Sequence, residues 1–590
     1  MNAFKYLILS IGLITILGIN SCVETPIDEA VEYNDFYANL NDADAMVMGI
    51  YGKVMGLADR LVVLNELRGD MLDVTANADQ DLIEINQQKT SKNNYWTNVT
   101  PIYEVIQNCN DALYNFKIML KDNKMTQDEY NERYSDIGAI RCWLYYQLGV
   151  QFGTIPYITD PIISINDAVV NQENMLDLDN LIPELIQFME NLPTLENYKN
   201  SKLISGTVDG VSLVPYFINK KCLLGDLYLF NNEYDKAATI YREVLSENED
   251  AAATANQSTY RIYDDKAWTG GDVTYFSVLF DRYNTTDGNR LYNAWKNMFK
   301  SAADDRYVKN EMIWEITYNS TFAPEYPFVR LFGNQGKGKY ILKPSKYAID
   351  EMWGSEKLRN DYPIDCRGIS GGVDKTTDGQ YLVAKYTMNY DITKPYDNSG
   401  KWFLYRAATL HLRFAEAANR SESGGGYPKL AWALINDGIP GSAFSWKHED
   451  GSSYRGDSIK YSSFAPGEPY PTPYYFDGRW SDSPYLRAPW RYNGGIRGRA
   501  YLPNVDISAT AKTDSIAEIE QMIVKEAGLE LAFEGDRWTD LIRVARRLQK
   551  LNGTGGQFLH EKMHRKYELA GLPVPDFTSE NNWYLPLYIK

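Results

Sequence analysis

Apolar residues along much of this chain recur at helical spacing. Tyr134, Ile137, Leu144 and Leu148 fall at three-, four- and seven-residue intervals and mark one face of a helix. Ile218, Cys222, Gly225 and Leu229 do the same; a turn at Asn231, Asn232 and Glu233 follows, and Tyr234, Ala237, Ala238, Tyr241 and Val244 open a second helix. Small residues stand where these two helices would touch, the pattern of a tetratricopeptide-like unit. Further helical pieces are predicted at about 38–58, 99–121, 403–420 and 512–547, scattered and not tandem. Between about 250 and 400 the pattern changes to Gly, Asp, Asn, Tyr and Trp around short strand-like runs, EMIWEITY (311–318) and YLVAKY (381–386). The stretch from about 421 to 494 is richer still in Gly, Pro, Ser and aromatic residues. Loops this long are uncommon inside a fold and are usually functional or disordered. Their aromatic content favours function. The expected fold class is mainly α: tetratricopeptide-like helix pairs as a scaffold, with long irregular loops and a few short strands.

The first residues carry a different pattern. Lys5 precedes an uncharged apolar run from Tyr6 to Ile19, too short to span a bilayer, which takes roughly 20 apolar residues. Small and polar residues then lead to Cys22, as in a secretory signal cleaved to leave an N-terminal cysteine for bacterial lipid attachment. Residues 1–22 are therefore expected to be a lipoprotein signal with lipidated Cys22, and 23–36 an acidic tether. A helical region is expected over 37–250, and a second region over 251–590 with the aromatic insertion at about 421–494.

The formal net charge of -18 argues against nucleic acid as a partner, since phosphates need basic patches. It also leaves membrane attachment to the lipid. Aromatic residues make up 13% of the chain and include 45 Tyr, side chains that give rigid amphipathic contact area at low entropic cost, so the composition reads as a binder of something polar. Beyond Cys22 the cysteines are Cys109, Cys142, Cys222 and Cys366, with no CxxC spacing. Buried thiols are one reading and a Cys109–Cys142 disulfide the other.

AIRCWLYYQLGVQFGTIPYIT (139–159), with Arg141, Phe152, Gly153 and Pro156 at recurrent positions, resembles a helix and exit turn of the SusD/RagB family of Bacteroidetes outer-membrane lipoproteins. KEAGLELAFEGDRWTDLIR (525–543) is similar to its C-terminal signature, FLYRAATLHLRFAEAANR (403–420) to its arginine-led helix, and GIRGRAYLP (495–503) to the arginine-rich segment that follows. LYLFNNEYDKAATIYREVL (227–245), PSKYAID (344–350), DCRG (365–368) and WTNVTPIYEVIQNCNDAL (96–113) complete the set, in family order. The resemblance implies a mostly α fold on the outer face of the outer membrane. It also implies a TonB-dependent transporter barrel as partner, to which captured oligosaccharide is passed, with no catalysis and no cofactor. Part of the family handles peptides instead. The insertion at about 421–494 and the shortened end NWYLPLYIK depart from the family pattern.

Sugars offer C–H groups to an aromatic plane and hydroxyls to Asp, Asn or Arg. Candidate ligand-binding residues are therefore aromatic or acidic side chains in irregular segments. These are Asp73 in RGDMLDVTANAD, Tyr95 and Trp96 in NNYW, Trp268 and Tyr275 in KAWTGGDVTYF, and Tyr283, Tyr292 and Trp295 in YNTTDGNRLYNAW. Asp73 could instead cap a helix, Trp96 could pack where it leads one, and Trp314 in its strand and Trp538 in the FEGDRW signature are expected in the core. Trp446, Trp480, Trp490 and Tyr474–Tyr475 lie in the insertion. HEKMH (560–564) has the His560/His564 spacing of a zinc site, with Glu561 as base and Glu568, Asp576 or Glu580 as third ligand, so a zinc hydrolase is a remote alternative. No metal site is expected, because the flanks are polar and near the chain end. GNQGKGKY (333–340) is glycine-rich but lacks the terminal Ser or Thr of a phosphate loop. No carboxylate pair for glycosidic cleavage stands out.

Overall fold

The helix expected around residues 130–148 is buried all round from Ser135 onward. The structure is a computed structural model that describes residues 36–162, 174–199, 201–245, 288–300, 311–356, 365–436, 438, 445–447, 453–458, 471–474 and 495–588. Cys22, Trp268, Tyr275, Tyr283, Trp480, Trp490 and Tyr475 fall outside these residues. Among the described residues no helix is long and apolar enough to cross a membrane.

The N-terminal helices are α1 (Leu40–Met55), α2 (Ala58–Glu66), α3 (Gln80–Asn86), α4 (Thr100–Lys121), α5 (Gln127–Phe152) and α6 (Leu178–Glu190). Thr126 and Glu129 close a capping box at the start of α5, satisfying donors that the first turn leaves orphaned. Every residue from Ser135 to Phe152 is buried, against α1, α4, α6 and the later helix α7. A helix buried all round must satisfy its polar side chains internally. Asp136 accepts from Tyr51, Gln147 from Asn65, and Gln151 bridges Asn65 and Arg68. The one-faced apolar pattern understated this helix, because its outward polar residues bond to neighbouring helices instead of water.

The expected helix pair is α7 (Lys220–Phe230) and α8 (Tyr234–Leu245). Gly225 allows the contact: a Cβ there would lie 2.3 Å from the Tyr241 ring. The structure continues with α9 (Gly288–Lys300), α10 (Ala407–Arg420), α11 (Pro428–Ile435), α12 (Lys512–Glu530), α13 (Arg537–Asn552) and α14 (Gly555–Ala570). Among the strands, β1 (Leu72–Val74) pairs antiparallel with β3 (Leu342–Pro344), and β2 (Met312–Tyr318) with β4 (Gly400–Arg406). One hydrophobic cluster runs from Tyr37 to Leu585, across both expected regions. Trp314 is buried in β2, edge-on to Trp143 at 5.0 Å, and Trp538 is buried in α13.

Two boundaries differ from expectation. Residues 403–406 are strand and not helix, because pairing with buried β2 outweighs local helical preference. The helical run 512–547 is broken between α12 and α13, where Phe533 (φ 72°) and Gly535 (φ 102°) turn the chain. The Glu66 carboxylate at the end of α2 accepts from the backbone N–H groups of Phe533, Gly535 and Asp536, and so caps α13 from a distant segment. Cys109, Cys142 and Cys366 are buried free thiols, not a disulfide, and Cys222 is buried as well.

The deepest part of the C-terminal half is ionic. Arg406 donates to Glu534 (2.8 Å), Glu311 (2.7 Å) and Glu530 (2.9 Å). Arg499 pairs with Glu311 and Glu530, Arg367 with Asp365, Glu526 and Glu530, and Arg497 with Glu526 and Glu356. Burial pushes the Glu530 carboxyl up, but Arg499, Arg406 and Arg367 prevail and hold it at about 2. Glu356 is likewise held at about 2, against its burial, by Arg497 and Lys525.

Removing one member of such a network strands buried charge. Arg406→Met is expected to lower stability by about 3–5 kcal/mol in urea titration. A depressed carboxyl stabilises the fold above its ordinary value and loses that contribution as pH falls through the folded value. The stability gap between the natural chain and Glu356→Gln should therefore be full at neutral pH and shrink between pH 4.5 and about 2, as read from denaturation midpoints across pH.

Candidate functional site

Three irregular segments converge beside the short β1–β3 ladder. The chain leaves β1 at Val74, and Thr75 continues the pairing by donating its N–H to the Ile341 carbonyl (2.9 Å), while its hydroxyl donates to the Tyr340 carbonyl. Asn77 follows, and its carboxamide donates to the carbonyls of Lys339 (3.0 Å) and Tyr340 (3.3 Å). The second segment is the glycine-rich stretch 333–340. Tyr340 sits in the left-handed region (φ 47°), as does Gly336 (φ 57°), where a Cβ would meet the Tyr390 hydroxyl at 2.2 Å. The third is the hairpin Val373–Lys375 with Tyr381–Val383, whose turn is closed by the Gln380 N–H donating to the Thr376 hydroxyl.

These segments enclose a cleft of about 670 Å³, within the size range of ligand pockets. Asn77, Asn334, Lys339, Tyr340, Asp378 and Gln380 line it. Asn334 donates to the Gln380 carboxamide oxygen (2.9 Å), which leaves the Asn334 oxygen and the Gln380 amino group facing the cleft as an acceptor and a donor. Burial raises the Tyr340 hydroxyl above its ordinary value and the Asp378 carboxylate adds to the shift, so the phenol stays protonated at neutral pH. The lining thus offers amides, one carboxylate, one ammonium and a half-buried ring. That set bonds hydroxyl groups; it contains no histidine, cysteine or second carboxylate. A larger cleft of about 860 Å³ lies between residues 87–89, the Gly153 turn and residues 575–587. Of the two cations that line it, Lys89 and Arg546, the latter is already held by Asp179, Glu580 and Tyr584.

The expected site residues are dispersed. Asp73 lies on β1 beside the 670 Å³ cleft, but is buried and accepts from the Asn86 carboxamide (2.8 Å), so it braces the ladder against α3. Tyr95 is 57% exposed, edge-on to Trp96, with the Arg60 guanidinium 4.7 Å from its ring centroid. Trp96 is buried, and its carbonyl accepts from Arg60. Tyr292 is half-buried on α9. Trp295, on the same helix, is wholly buried against Arg406, Lys385 and Arg499, and offers no face to solvent. Tyr474 is buried as well and donates to Asp235. The His560 and His564 rings stack on α14, and among the described residues no group of three His, Cys, Asp or Glu side chains is set to hold a metal ion. Sequence reading missed Asn334, Tyr340, Asp378 and Gln380. The signal was present in GNQGKGKY, weighed only as a phosphate loop, where glycine permits the turns that bring Asn334 and Tyr340 to one wall.

Residues 493–588 match the model of the SusD family. The whole fold is similar to solved structures. One is a SusD superfamily protein from Bacteroides vulgatus, 15% identical over 94% of this chain and 96% of that one, with a TM-score of 0.57. Another is a laminarin-binding SusD-like protein, 14% identical over 93% and 96%, TM-score 0.56. A third is surface glycan-binding protein A from Bacteroides uniformis, 15% identical over 93% and 96%, TM-score 0.55. No curated protein matches the chain in sequence.

Asn77 ties the two walls at an exposed position. Asn77→Ala should leave the melting temperature within about 2 °C, since the two exposed hydrogen bonds of its carboxamide together contribute about 1 kcal/mol or less. Amide hydrogen exchange at Lys339–Ile341 should accelerate severalfold, measured by mass spectrometry.

Proposed function

Since its C-terminal residues carry the SusD pattern and the whole chain a SusD-like fold, we propose that this protein is a glycan-binding lipoprotein of the outer cell surface. It captures oligosaccharide and delivers it to a TonB-dependent transporter in the outer membrane, held there by lipid on Cys22. It performs no chemistry on the ligand and uses no cofactor. The observation that carries this reading is the cleft walled by Asn77, Asn334, Tyr340, Asp378 and Gln380, a set matched to hydroxyl groups and lacking a nucleophile–base pair. Carboxamide and carboxylate groups bond sugar hydroxyls directionally, and the Tyr340 ring supplies a surface for C–H groups. That similar folds are described as laminarin-binding and glycan-binding supports the ligand class. Tyr95 and Tyr292, each at least partly exposed, remain candidate ring contacts, and Trp268, Tyr275 and Tyr283, which lie outside the described residues, are candidates from the sequence alone.

Titration calorimetry of the purified protein against a panel of neutral β-glucan, α-glucan and xylan oligosaccharides tests this. At least one class should bind, and Asn334→Ala with Gln380→Ala should weaken it at least tenfold. Absence of heat with every sugar, alongside robust peptide binding, would replace the ligand class with peptide. Co-purification with a transporter barrel from detergent-solubilised membranes, lost on Cys22→Ala, is the expected result for the partner and the anchor.

A further inference from the structure

On the helical side, three buried arginines, Arg60, Arg68 and Arg141, pair with no carboxylate among the described residues, and of these Arg141 lines a cleft. Arg141 is only 4% exposed, yet among the described residues no carboxylate lies within ion-pair distance of it. The arginines of the C-terminal half answer to Glu530, Glu526, Asp70 or Asp540. Arg141 has neutral partners alone: one amino group, Nη1, donates to the Asn110 carboxamide oxygen (2.9 Å) and to the Thr159 carbonyl (3.2 Å), and the guanidinium lies 4.4 Å from the Phe188 ring centroid. Its Nε and Nη2 have no partner among the described residues. Those two donors share one edge of the guanidinium, the edge that receives a carboxylate bidentately.

That side chain forms part of the wall of a cleft of about 420 Å³ between α4, α5, α6 and the strand exit at residues 157–161. The cleft is aromatic as well as charged. Tyr114, Tyr134, Tyr157 and Phe188 line it, and Tyr114 is 44% exposed at its mouth. Lys117 lies 5.4 Å from the Tyr134 ring centroid, while Asp160 and Glu184 place carboxylates on the exposed rim. A single anionic group at the guanidinium would be paired with a largely buried cation. A polyanion would meet Asp160 and Glu184 on its way in, and those same carboxylates suit the hydroxyls of neutral neighbours.

We propose that this cleft is a second ligand site, specific for a glycan with one isolated uronic acid among neutral sugars. The uronate carboxylate sits on the free edge of Arg141, and flanking rings lie against Tyr114 and Phe188. This inference rests on the glycan-binding reading above and adds both a place and a substrate class to it.

The test uses Asn334→Ala/Gln380→Ala protein, in which the irregular-face cleft is disabled, and two probes: a xylo-oligosaccharide bearing one 4-O-methylglucuronic acid, and neutral xylotetraose. The acidic probe should bind at least tenfold more tightly by calorimetry, and raising the salt from 50 to 500 mM should weaken it alone. Arg141→Gln should abolish the preference. Arg141 also supports local packing, so Tyr114→Glu, at the exposed mouth, serves as the independent variant: it should repel the acidic probe and leave folding unchanged. Equal affinity for the two probes overturns the proposal. So does a preference that survives either variant, that needs Asn334 and Gln380, or that is shown only toward a peptide C-terminus. Neutral sugars bound by the unmodified protein without any acid preference remove this site alone; no sugar bound by any form removes the glycan reading with it.

Discussion

The structure hangs on a guanidinium–carboxylate lattice closed off from water. Arg367, Arg406, Arg497 and Arg499 interlock with Glu311, Glu526, Glu530 and Glu534, and both side chains are wholly buried in the Arg406–Glu530 and Arg499–Glu530 pairs. Such a lattice tolerates only one geometry. Each ion has lost its hydration, and only close, multiply bonded partners compensate. The lattice therefore specifies how the segments around 311, 365–367, 406, 497–499 and 526–534 come together, a task a purely apolar core of interchangeable shapes performs less selectively. Trp295 packs on its cations and extends the same unit into α9.

The blocks that resemble the SusD/RagB family gain a physical meaning here. Residues Arg406, DCRG, GIRGR and KEAGLELAFEGDR stand far apart in the chain, yet they are parts of one ionic assembly. A second limb follows the same logic: Arg537 grips Asp70 through two bonds, and Glu66 caps the turn into α13. Both anchor the N-terminal helices at the root of β1. From there the chain runs directly into Thr75 and Asn77, so the wall of the irregular-face cleft is seated on rigid elements even though its residues belong to loops. The helical side shows the converse. Among the described residues Arg60, Arg68 and Arg141 stay outside the carboxylate lattice, and Arg141 does so at the wall of a cleft.

Legibility varied with the kind of interaction. Helical periodicity located α4, α5, α7 and α8 to within a few residues, because burial of a helix face leaves a local trace. It did not reveal α6. It also misjudged 403–406, where strand pairing with distant β2 decided the outcome. Asp73 was read as a ligand contact with a helix cap as its alternative; it is buried and accepts from Asn86. The aromatic residues Trp96 and Trp295 were weighed as ring platforms and prove to be packing residues. A tryptophan in a polar, loop-like stretch reads the same whether its indole meets solvent or a buried arginine.

By itself the amino-acid sequence determined the helical scaffold, the close-packed α7–α8 pair through Gly225 and the acidic, tyrosine-rich character of the chain. Each of these is written in neighbouring residues or in bulk composition. Only the tertiary structure decided which arginines pair with carboxylates and which with neutral groups, and that Asn77, Asn334, Tyr340 and Gln380 share one cleft. The reason is physical. Ion pairing and cleft formation depend on distances between residues tens to hundreds of positions apart, and those distances exist only once the chain has folded.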